Sequence, residues 1–86
     1  MSTLDRYVLA CKGIFTALRI LGMTVITRKD VAKAWNTLGA IAGNLDTIPG
    51  PTMTAAMTEA GVALGGKYKN DGKDSQGKAI NPRIEF

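Results

Sequence analysis

Apolar residues recur at helical spacing in three stretches of this chain, and glycine or proline cuts the chain between them. In the first, Leu4, Val8, Cys11, Phe15 and Leu18 follow one another at intervals of three and four, which places them on one face of an α-helix. Tyr7, Ile14 and Leu21 widen that stripe, and Asp5, Lys12, Thr16 and Arg19 fall opposite it. Ser2 with Asp5 three residues later is a capping-box pattern, and Gly22 suits a helix stop. The spacing predicts a helix over 3–22. Met23-Thr-Val-Ile26 follows as a short connector, either an extended link or an apolar staple for the next helix.

Thr27-Arg-Lys-Asp30 is the clearest helix start in the chain. A threonine N-cap accepts from a backbone N–H of the first turn, and the acid three residues on accepts from the cap. Val31, Ala34, Trp35, Leu38, Ile41 and Ala42 keep the helical interval, so a second helix is predicted over 28–42, closed by Gly43-Asn44. Asp46-Thr-Ile-Pro-Gly-Pro51 reads as a loop, because proline cannot continue a helix and biases the residue before it to extended backbone. Pro51 suits the opening of a third helix over 52–64. Met53, Ala56, Met57, Ala60 and Leu64 form its apolar face, Thr52, Thr54, Thr58 and Glu59 its wet face, and Gly65-Gly66 its end. The expected fold class is therefore all-α: a three-helix domain over 1–66.

Residues 67–86 change character. Lys67 to Lys78 is rich in lysine, aspartate and glycine, and Asn70-Asp71-Gly72 is a turn signal. Apolar residues return only at Ile80, Ile84 and Phe86, which read as anchors on an extended C-terminal arm.

The chemistry that these 86 residues can carry is narrow. Histidine is absent, which removes the commonest general base and every Ser–His or Cys–His nucleophile system. One cysteine allows no internal disulfide, and with no Cys/His cluster there is no zinc pattern. Cys11 lies on the apolar stripe, where a free thiol acts as a small hydrophobe. Asp71 and Asp74 sit in a polar stretch unsuited to a buried acid–base pair. The chain is thus expected not to be an enzyme, with no cofactor, no metal and no small-molecule substrate. Its longest uncharged runs, 34–45 and 47–58, fall well short of the roughly 18–20 residues of a membrane span. Asp5, Lys12 and Arg19 interrupt the first apolar stretch, so no secretory leader is expected. The setting that fits is the cytoplasm, or a particle assembled there.

Two modes of binding follow. The first is assembly, into a homo-oligomer or a larger protein complex such as a virion or filament. Gly39 and Gly43 are four apart, as close helix crossing requires; Met53 and Met57 offer pliable surface; Ile80, Ile84 and Phe86 are placed to clasp a neighbour. An inhibitor that binds a host protein would use the same features. The second is nucleic-acid binding. The net charge is +4, from eleven Lys and Arg against seven Asp and Glu. It is spread, with +2 over 1–26, +2 over 27–45, −2 over 46–66 and +2 over 67–86. Arg28, Lys29 and Lys33 at the second helix, with Lys67, Lys69, Lys73 and Lys78 in the arm, are the candidate phosphate contacts.

Thr27-Arg-Lys-Asp-Val-Ala-Lys-Ala34 resembles the first helix of a helix-turn-helix, which makes 27–45 a helix-turn-helix-like segment and implies a DNA-binding role. The resemblance covers about eight residues. The tight glycine turn of that motif does not follow, since Trp35-Asn36-Thr37-Leu38 continues the apolar stripe and Gly39 and Gly43 come later.

Overall fold

Caps set the starts of the first two helices and the ends of the first and third. In the computed structural model, which describes residues 2–37 and 50–86, α1 runs over Thr3–Ile20, α2 over Arg28–Thr37 and α3 over Gly50–Ala63. Ser2 caps α1: its hydroxyl accepts from the Asp5 N–H at 3.1 Å, and its own N–H donates to the Asp5 carboxylate at 3.3 Å. Thr27 and Asp30 make the same reciprocal pair at α2, at 3.2 and 2.9 Å. Both α1 and α3 close in a Schellman arrangement. Gly22 takes φ +91° and lets Met23 N–H reach the Leu18 carbonyl. Gly65 takes φ +90° and lets Gly66 N–H reach the Gly61 carbonyl. Residues 38–42, predicted as the last turn of the second helix, lie outside the described residues, as do Gly39 and Gly43.

The all-α expectation is overturned by a sheet. Strands β1 (Val25–Thr27), β2 (Lys67–Lys69) and β3 (Arg83–Glu85) form a three-stranded antiparallel sheet in the order β1-β3-β2. The fold is a small mixed α/β domain, not an all-α helical bundle. The residues expected to form an extended arm instead supply two strands, one of them central. Ile84 stands opposite Ile26 on one side and Tyr68 on the other. Each strand is only three residues long, and β1 and β3 are far apart in sequence, so no run of alternation announces them.

The sheet closes one side of a core built from the predicted apolar faces. Val8, Cys11, Ile14 and Phe15 of α1 meet Val31 and Trp35 of α2, Met53, Ala56, Met57 and Ala60 of α3, and Ile26 and Ile84 of the sheet. Burial pushes the Cys11 thiol up to about 12, so it stays protonated and unreactive near neutral pH. Tyr7 packs edge-on against Trp35, with ring centroids 6.0 Å apart. Ile84 fits because two glycines make room for it. A Cβ on Gly61 or Gly66 would lie 2.7 or 2.6 Å from its side chain. Phe86 then packs edge-on against Phe15 at 5.8 Å, and the Arg19 guanidinium stacks 4.4 Å above its ring while donating to the Leu64 carbonyl.

Candidate functional site: a basic cleft between the third helix and a hairpin

Strands β2 and β3 are joined by an ordered hairpin, and its tip is built around one aspartate. Asp71 N–H donates to the Ile80 carbonyl, Ile80 N–H donates to the Gly72 carbonyl, and Lys73 pairs with Ala79. Beyond that pair the Asp74 carboxylate accepts from the N–H groups of Gln76 and Lys78, both at 2.9 Å, and Gly77 turns the chain at φ +76°. The tip is therefore Asp74–Lys78. Asn70-Asp71-Gly72, the predicted turn, lies on the leg of the hairpin, where Gly72 takes φ +111°.

This hairpin faces the start of α3 across a cleft of about 890 Å³. Pro51, Thr54 and Ala55 line it from α3, Lys73 and Lys78 from the hairpin, and Arg28 from the start of α2. Arg28 is held there by its backbone, whose N–H donates to the Pro82 carbonyl at 3.1 Å, and its guanidinium passes over Gly50 at the opening of α3. A smaller trough of about 460 Å³ adjoins the cleft, shares Arg28 and Lys78 with it, and adds Lys29. Four cations thus gather on one face.

What makes the face basic is where the nearby acids go. Asp71 pairs with Arg83 at 2.9 Å and accepts from Asn81 at 3.2 Å, and these hydrogen bonds hold its carboxyl below the usual carboxylate range. Glu85 pairs with Lys69 and with Arg83, each at 3.1 Å, and is lowered for the same reason. Both acids raise the Arg83 guanidinium further. Asp30 and Asp74 are engaged by the caps and turns described above. Among the described residues, Arg28, Lys29, Lys73 and Lys78 take part in no ion pair. The first turn of α3 carries no acid, so its positive dipole end adds to the same field.

The predicted phosphate contacts therefore divide. Arg28, Lys29, Lys73 and Lys78 come together. Lys69 is paired with Glu85, and Lys67 is exposed on β2 away from the cleft. Lys33 lines a different, apolar groove of about 400 Å³ between α1 and α2, with Leu18, Leu21 and Met23. The predicted partner contacts divide too. Met53, Met57 and Ile84 are buried, Phe86 is half-buried against Phe15, and Ile80 is exposed. Sequence reasoning did not propose Pro51, Thr54 and Ala55 as site residues; it gave Pro51 as the opening of the third helix and Thr54 a place on its wet face. It also overlooked an apolar patch at the end of α1 and in β1, where Ile20, Leu21 and Val25 are exposed.

Among the described residues no cluster of His, Cys, Asp or Glu could hold a metal ion, and no helix is long and apolar enough to cross a membrane. No protein-family model matches the chain, and neither a curated protein nor a solved structure is significantly similar to it.

Proposed function

We propose that the protein binds nucleic acid through this basic cleft. The observation that carries the reading is the gathering of Arg28, Lys73 and Lys78 around the start of α3, with Lys29 beside them in the adjoining trough, none in an ion pair among the described residues. Phosphates laid along these four side chains would release their counterions and bring Pro51, Thr54 and Ala55 towards the bases. The layout supports the same reading: the start of α3 can face a groove while the start of α2 and the hairpin hold the backbone. Glu59, exposed one turn beyond Ala55, repels phosphate and confines contact to the start of α3. The assembly reading has less to rest on, because Ile84 and Phe86 are occupied within their own chain.

Fluorescence anisotropy with a labelled duplex, followed as a function of salt, tests the proposal. Four phosphate contacts give a slope of log affinity against log salt of about −3 to −4. No binding at the lowest salt, or a slope near zero, would overturn it.

A further inference from the structure

The cleft supplies phosphate contacts, but the helix beside it is almost empty of the groups that read bases by hydrogen bonding. Over its whole length, Gly50–Ala63, α3 carries no arginine, lysine, asparagine, glutamine or histidine, and Glu59 is its sole charge. The bidentate pairings of arginine with guanine and of asparagine or glutamine with adenine are therefore unavailable to it. What it presents to the cleft is small: the Pro51 ring and the methyls of Thr54 and Ala55, with Ala55 exposed and Thr54 half-buried. Thr58, one turn on from Thr54, spends its hydroxyl hydrogen on the Thr54 carbonyl at 2.8 Å.

An apolar, methyl-bearing surface has one complementary feature among base edges. That feature is the C5 methyl of thymine, which stands in the major groove of B-form DNA. The minor groove displays no methyl, and duplex RNA lacks thymine and has a major groove too deep and narrow for a helix. From this we infer that the nucleic acid read by this cleft is double-stranded DNA, and that Thr54 and Ala55 select sites with thymine methyls against the first turns of α3. The inference rests on the proposed function and makes it specific: Arg28, Lys29, Lys73 and Lys78 supply affinity, and the methyl contacts supply preference.

The test compares two DNA duplexes of one thymine-rich sequence, identical except that uracil replaces every thymine in the second. Pairing and charge are unchanged, and only the methyls are lost. The wild-type protein is expected to bind the thymine duplex more tightly, by about fourfold for each methyl buried, with the same salt slope for both. In the double variant Thr54→Ser, Ala55→Ser, which removes both protein methyls from solvent-accessible positions, the difference between the duplexes is expected to vanish while the salt slope stays. Thermal melting of the variant confirms that it is folded. Equal wild-type affinity for the two duplexes, with a steep salt slope, would overturn the inference and leave phosphate binding standing. A difference that survives in the double variant would overturn the assignment to Thr54 and Ala55. Absence of binding to either duplex at low salt would remove the proposed function itself.

Discussion

Replacing Ile84 by alanine is expected to destabilise the protein by about 2–5 kcal/mol. For a domain of this size that lowers the melting temperature by roughly 10–30 °C, and small domains hold about 5–15 kcal/mol in total. The size of the effect follows from position. Ile84 is fully buried, sits on the central strand, and faces Ile26 and Tyr68 across both neighbours. Its side chain fills the space left by the missing side chains of Gly61 and Gly66, so alanine leaves a cavity between α3 and the sheet. The same geometry fixes a second result. Gly61→Ala forces a Cβ to 2.7 Å from the Ile84 side chain and is expected to cost about 1–3 kcal/mol by overpacking. Combined with Ile84→Ala, the new methyl occupies vacated space, so the double variant loses less than the sum of the two. Denaturant unfolding of the three variants measures this directly. Additive losses would mean that Gly61 and Ile84 do not share one space. No loss in Ile84→Ala would mean that residues 83–85 are an outlying arm after all.

The second large effect concerns binding and leaves the fold alone. Lys73→Glu together with Lys78→Glu reverses two of the four cations of the basic face. Duplex affinity at low salt is expected to fall by about a hundredfold or more, because two phosphate contacts become repulsions. Both side chains are exposed, and the hairpin is held by backbone bonds and by the Asp74 carboxylate, so the melting temperature is expected to move little. The control is Lys33→Glu with Lys67→Glu. Each pair takes the net charge from +4 to 0, since each substitution subtracts two. If only overall charge mattered, the two double variants would bind alike. Placement of the site in the cleft requires the control to keep most of the affinity, because Lys33 lines the groove between α1 and α2 and Lys67 lies on β2.

These two expectations draw on different parts of the sequence, and the parts were not equally legible. The helices could be read because each carries its own punctuation. Ser2–Asp5, Thr27–Asp30, Gly22 and Gly65-Gly66 act within a few residues of where they stand, and the apolar stripes named the core residues of α1, α2 and α3. The sheet could not be read because its strands act at long range. Val25-Ile26-Thr27 is β-branched but too short to separate from a connector, and Arg83-Ile84-Glu85 shows its alternation only once. The polar segment between β2 and β3 looked like solvated arm because its aspartates alternate with lysines. Folding separates them: Asp71 turns to Arg83, Asp74 turns to the backbone of the tip, and the lysines are left facing the cleft. The cations were thus all visible as residues, while the choice of Arg28, Lys29, Lys73 and Lys78 over Lys33, Lys67 and Lys69 depended on the hairpin folding back beside α3.

The proposed binding surface is one face, framed by the starts of α2 and α3 and the hairpin. Backbone amide NMR of the isotopically labelled protein, titrated with a short thymine-rich DNA duplex at low salt, tests it most directly. The shifts are expected to concentrate at 28–29, 52–55 and 73–79, with the far end of α1 and strand β1 at Val25 unmoved. Shifts centred instead on Ile20, Leu21 and Val25, or spread evenly over every exposed lysine, would contradict it.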